Sequence, residues 1–433
     1  MFRYITVLIM ALATIALTGT VAGADWGDED EAGPETATAT AATPATAGKV
    51  NCGQLSTLSQ KTEMWVQQAE EKLEMNDLRG GMCDLQQALV AGKRDNDIYG
   101  LAVATYSMGN LLRRTGDIPR ATDTYKRAMA LFEALGNRAG LANTASTLAA
   151  IHAGRKEYPE ALTLYKRALN EYASLNHPGN QAVALDNISG IYMQLNQYSD
   201  AEMALERAVS LHERAVNRQA AADDYRRLGE AREARGDLAI ADIAYNKAVE
   251  INDSLSNLLG KAQVYASVGR AAAARKDVKR AQDYYTRAAA IDEALGHHDL
   301  AGMASKDLAG LLRSTGDLDG AVAMYLKAQE HFEAANRADA VASVMTAIGN
   351  IYSGQGNLAG AEEMYLKALV TYQTQNDKRH SAALLHSLAS VQARSGDPDG
   401  ARTSARQALE LYQATGNRKG VSQVQETLAK LGG

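Results

Sequence analysis

From Thr62 to Val421 the apolar residues come in short blocks with helical periodicity. Met108, Leu111 and Leu112 form one block, and Ala121, Tyr125 and Ala128 form the next. This spacing predicts pairs of amphipathic helices. The break inside a pair carries Gly116, Gly236, Gly316, Gly356 or Gly396, with Asn76 and Asn196 as substitutes. These are the residues a left-handed helix C-cap selects. An acid or amide follows at once (Asp117, Asp237, Asp277, Asp317, Asn357, Asp397) and is placed to cap the next helix start. Pro119 and Pro159 fall in the first turn of a second helix, where a missing N–H costs nothing. Gly136, Asn176, Gly296, Asn336, Asn376 and Gly416 mark where second helices end. Low Pro and abundant Ala agree with an all-α chain.

The pattern repeats. Shifted by 40 residues, the chain matches itself from Thr62 to Val421 with no insertion or deletion, giving nine repeats that start at 62, 102, 142, 182, 222, 262, 302, 342 and 382. One column is always small: Ala69, Gly109, Ala149, Ser189, Gly229, Gly269, Ala309, Gly349 and Ala389. Nineteen residues further on stands an unvarying Ala, from Ala88 to Ala408. Just before it, six repeats carry Tyr: Tyr125, Tyr165, Tyr245, Tyr285, Tyr325 and Tyr365. Small residues facing each other let two helix axes approach closely, and the Tyr ring is expected to fill the space between neighbouring hairpins.

These columns resemble the tetratricopeptide repeat, whose small-residue, aromatic and Ala positions have the same spacing. Trp65 occupies the aromatic position that opens the family's signature. The period of 40 exceeds the family's commonest 34 and resembles the longer variety of kinesin light chain and bacterial multi-repeat proteins. The resemblance implies a right-handed superhelical solenoid of nine helix-turn-helix units over residues 51–433. A capping helix over 422–431 would close the open end.

The first residues read as an address. Arg3 precedes an apolar run, Ile5 to Leu17, and Ala22-Gly23-Ala24 offers a small-x-small cleavage pattern, so residues 1–24 are expected to be a signal peptide. The alternative is an uncleaved inner-membrane anchor over residues 5–24. Residues 25–50, with six acids and an Ala/Thr/Pro run, have nothing to bury and read as a disordered linker. The whole chain carries a net charge of −6, which argues against general nucleic-acid binding. Most of that charge lies in the linker, so the repeats are nearly neutral.

Nothing in the repeats points to catalysis. The chain has no Gly-rich phosphate loop, no nucleophile elbow and no His-Glu-x-x-His, and no cofactor or metal is implied. His152 shares a packing column with Leu112 and Tyr192, and His297-His298-Asp299 falls in a loop between repeats. Cys52 and Cys83 would meet an oxidising compartment after export. Whether they pair depends on the segment before the first helix folding back over the hairpin. The resemblance implies binding of an extended peptide or partner helix in a concave groove lined by first helices. Groove-facing columns then hold Tyr106, Asn110, Arg113, Asn187, Arg226, Arg270, Lys306, Arg313 and Asn350. Asn can bond a peptide backbone and Arg can grip carboxylates. The family's Lys/Asn clamp for chaperone tails is not reproduced, since Tyr106 and Thr147 stand where the clamp needs Lys and Asn. The leading expectation is therefore an exported, non-enzymatic scaffold of the bacterial periplasm that holds a protein partner, with an acidic segment favoured by the basic columns. A self-assembling structural protein, or a regulatory or sensor subunit of an envelope complex, remains open.

Overall fold

The structure, a computed structural model, describes residues 62–432. Among them are nineteen helices and no strand. The chain divides into two compact blocks at Asn196/Gln197. In the first block lie α1 (Thr62–Glu74), α2 (Leu78–Arg94), α3 (Ile98–Arg114), α4 (Ile118–Ala134), α5 (Arg138–Gly154), α6 (Tyr158–Ser174) and α7 (Pro178–Gln194). The second opens with α8 (Tyr198–Arg214), α9 (Arg218–Arg235), α10 (Leu238–Ser254), α11 (Leu258–Ala274), α12 (Val278–Ala294) and α13 (His298–Ser314). It continues with α14 (Leu318–Ala334), α15 (Ala338–Gly354), α16 (Leu358–Thr374), α17 (Lys378–Ser395), α18 (Pro398–Ala414) and α19 (Arg418–Lys430).

The turns work as the punctuation predicts. At the turn after α3, the Asp117 N–H donates to the Leu112 carbonyl at 2.9 Å and the Gly116 N–H to Arg113 at 3.1 Å. This double closure needs a left-handed residue between them. Every Gly and Asn named above for a helix end has positive φ. The same geometry is also imposed on Lys156, Val216, Ser256 and Lys276, which the sequence did not mark. Asp117, Asp277, Asp317, Asn357 and Asp397 cap the next helix through the N–H three residues on. Asp237 does not: Arg235 takes its carboxylate, and the cap is left without a side-chain bond.

Two further differences concern register. After α1, first helices begin four residues before the repeat starts, as at Ile98 before 102, and Asp97, Asn137, Asn217, Asn257 and Asp377 cap five of them. Likewise the last helix begins at Arg418, capped by Asn417, rather than at 422.

The small-residue column is the seat of the tyrosines. A Cβ added to Gly109 would lie 2.7 Å from the Tyr125 ring, and one on Gly349 would meet Tyr365 at 2.5 Å. Both rings belong to the same hairpin as their Gly, so they lock the two helices of one repeat together. Tyr125 also touches the core of the following repeat through Leu148 and Ile151. All of the invariant Ala residues from Ala88 to Ala408 are fully buried.

Within the second block, successive first helices touch directly (α9 with α11, α11 with α13, α17 with α19), while successive second helices make no comparable approach among the described residues. First helices therefore lie on the inner side of the curvature. A second column changes chemistry along the chain. Where Phe132 and Tyr172, and later Phe332, Tyr372 and Tyr412, bury an aromatic ring, the intervening repeats place His212, Asn252 and Asp292, all buried. His212 Nδ1 lies 2.7 Å from Asp224 Oδ2, and Asn252 accepts from Asn257 at 2.7 Å. Asp292 Oδ1 has no hydrogen-bond partner.

Candidate functional site on the inner face

On the inner face of the first block the expected residues are largely occupied with structure. Tyr106 is half-buried, its ring centroid 5.6 Å from that of Tyr125 and its hydroxyl 3.3 Å from the Thr147 hydroxyl. Burial pushes its phenol up. Asn110 accepts a 2.6 Å hydrogen bond from the Tyr125 hydroxyl and so orients that tyrosine. Asn350 does the same for Tyr365 at 2.7 Å in the second block. Asn187 turns back on its own helix and donates to the Val183 carbonyl at 3.0 Å. Arg113 is exposed at the end of α3.

The second block carries the charged face. Arg226 on α9 donates to Glu230 one turn later at 2.7 Å, and the Ser267 hydroxyl of α11 reaches the same carboxylate oxygen at 2.7 Å. Burial pushes the Glu230 carboxyl up, but Arg226, the Ser267 bond, Arg270 and Arg227 outweigh it and hold the group below the usual carboxylate range. The attraction of Glu230 in turn raises Arg226. The Glu230 side chain keeps 31% exposure. Arg226 is therefore a strut between neighbouring helices and not a free gripping group.

Arg270 differs. Its side chain is 52% exposed, donates to Ser267 at 3.1 Å and stands 4.0 Å from Glu230, whose charge Arg226 already balances. Lys306 on α13 is half-buried and makes no hydrogen bond or ion pair among the described residues. Arg313 is the penultimate residue of the same helix, half-buried. Counting Asp223, Glu230 and Asp307 against Arg226, Arg227, Arg270, Lys306 and Arg313, the face keeps an excess of positive charge.

The structure thus brings Arg226, Arg270 and Lys306 onto three consecutive inner helices, and it engages Oδ1 of Asn110 and Asn350 with tyrosine hydroxyls and the Asn187 amide with its own helix. Sequence reasoning missed Ser267, which ties α9 to α11. The signal was present in Ser107, which stands in the same column four repeats earlier and bonds Glu70 at 3.4 Å in the same way. His152 is held by Glu157 at 2.5 Å and packs, as its column suggests. His298 and Asp299 lie not in a loop but in the first turn of α13, where Asp299 accepts from Arg337 at 2.7 Å. Cys83 sits in α2, and the pairing with Cys52 lies outside the described residues, as do the signal and linker assignments. No helix among the described residues is long and apolar enough to cross a membrane.

Comparison with known proteins adds the following. Models of the tetratricopeptide repeat match residues 100–173, 181–219 and 340–414. No curated protein matches the chain. Among solved structures, a signal-transduction ATPase from Pyrococcus horikoshii with a tetratricopeptide-repeat sensor is 17% identical. The match covers 84% of this chain and 55% of that one, with a TM-score of 0.49. A Rap protein complexed with competence and sporulation factor is 15% identical over 84% of this chain and 99% of its own, TM-score 0.44. A kinesin light chain-like protein of Podospora anserina is 16% identical over 44% and 94%, TM-score 0.40.

Proposed function

The chain belongs to the tetratricopeptide-repeat family, and on that premise we propose that it is a protein-interaction scaffold whose second block holds an acidic, extended segment of a partner protein. The observation that carries this reading is the Arg226–Glu230–Ser267 strut beside Arg270 and Lys306. The strut neutralises Glu230, the carboxylate 4.0 Å from Arg270, which favours Arg270 and Lys306 keeping their charge for a ligand. Two like charges on adjacent inner helices repel, and an incoming carboxylate converts that repulsion into charge-assisted hydrogen bonds. Export into the periplasm, through cleavage after Ala24, belongs to the same proposal. It would place the scaffold among envelope proteins.

The test is affinity capture from an envelope extract, followed by titration of the captured partner against wild type and the Arg270→Glu/Lys306→Glu double variant. The double reversal should weaken binding at least tenfold, about 1.4 kcal/mol, and added salt should weaken the wild-type complex. A partner whose affinity ignores both would show that this face is merely solvated. Intact-mass measurement of the exported protein should show a chain beginning at Asp25, and retention of residues 1–24 would support the anchored alternative.

A further inference from the structure

The helices α10, α11 and α12 leave a cleft of about 360 Å³ between them, within the range of small-molecule sites. Its floor is apolar, made by Val264 and Val268 of α11 with Val249 of α10. Its walls are not what the repeat requires. At the position of Tyr284 other repeats carry Leu164, Ala244, Met324 and Met364. At that of Tyr265 they carry Leu185, Tyr225, Ser305, Met345 and Leu385. Only here do both columns hold tyrosine, and the two rings meet edge to face with centroids 5.6 Å apart.

Cations converge on these rings. The Arg280 guanidinium lies 5.6 Å from the Tyr284 centroid, and that of Arg287 lies 5.5 Å from Tyr284 and 5.9 Å from Tyr265. Arg280 commits its two terminal nitrogens to Asp242, but its Nε is buried and has no acceptor. Leaving such a donor unmet is costly, and a ligand acceptor would relieve it. Arg287 is held by Asp283, with both side chains about half exposed. A surface ion pair of this kind is worth little, so Asp283 can be displaced.

We propose that this cleft binds a small planar aromatic ligand bearing an anionic group. Its ring would lie on the valine floor against Tyr265 and Tyr284, and its anionic oxygens would take the Arg280 Nε–H and the guanidinium of Arg287. The paired tyrosines favour a flat ring, and the arginines select an anion over its neutral counterpart.

The experiment is calorimetric or ligand-observed NMR titration of the full chain at millimolar concentrations of benzoate, 4-hydroxybenzoate and indole-3-acetate. Each acid is paired with its neutral amide, and adenosine monophosphate serves as the phosphate-bearing arm. At least one anion should bind, about tenfold more tightly than its neutral counterpart. Tyr284→Met installs the residue of the neighbouring repeats, so the fold should tolerate it, yet affinity should fall about tenfold. Arg287→Gln, which copies Gln407 of the last repeat, should erase the preference for acid over amide. Absence of binding by every anion, equal binding of acid and amide, or unchanged affinity in Tyr284→Met would each overturn the proposal.

Discussion

Asp292 gives the sharpest test of how this array is held together. It occupies the column where Phe132, Tyr172, Phe332, Tyr372 and Tyr412 bury a ring, and it is itself 4% exposed with Oδ1 unpartnered. Burial raises its carboxyl from 3.8 to about 6, opposed only by His297. A carboxyl raised in the folded state favours folding while protonated. Below pH about 4 the group is neutral in both states and costs nothing. Between about 4 and 6 the unfolded chain ionises first, and above 6 the full cost stands. The gap corresponds to about 3 kcal/mol as an upper value. Asp292→Asn should therefore stabilise the protein by about 1–3 kcal/mol at pH 8 and hardly at all at pH 4. A repeat array need not unfold in one step, so the assay should be hydrogen exchange resolved by segment alongside denaturant melts. The gain should appear first in α12 and α13. Equal stabilisation at both pH values, or none at pH 8, would refute the reasoning.

How much of this was legible beforehand can be judged residue by residue. The hairpin, its period and its turns were, because left-handed caps and buried Ala contacts restrict residue choice so tightly that they leave columns in the sequence. What those columns touch was less legible. Gly109 and Gly349 announced close approach, but the sequence cannot say that the approaching group is a tyrosine of the same hairpin rather than a neighbouring backbone. The caps at Asp97 and Asn137 set where first helices begin, which the small-residue column alone does not show. On the inner face, a polar column shows exposure to water or ligand but not which polar groups already satisfy each other. Asn110 and Asn350 read as peptide-binding amides until the Tyr125 and Tyr365 hydroxyls are found on them.

Further expectations follow from packing and backbone geometry. Ala248 is fully buried between α10 and its neighbours. Ala248→Leu should therefore destabilise by about 1–3 kcal/mol through overpacking, loosening α10 and α11 before distant helices. Uniform hydrogen-exchange protection in that variant would contradict nearest-neighbour stacking. Val216 offers the opposite sign. It holds φ at +57° between α8 and α9 while its side chain is 81% exposed, so its backbone strain is not repaid by burial. The left-handed conformation costs an L-residue about 1–2 kcal/mol, and β-branching adds crowding. Equivalent turns use Asn96, Asn176, Asn336 and Asn376, whose short side chains tolerate that region. Val216→Asn should thus raise stability by about 1 kcal/mol with no loss of contacts, measured as a higher denaturation midpoint at unchanged m-value. Because the Ala215, Val216 and Asn217 amides close onto Leu211, Glu213 and His212, slower exchange should be confined to the end of α8 and the start of α9. A lower midpoint would mean that the valine side chain, despite its exposure, supports the turn through contacts worth more than the strain it carries.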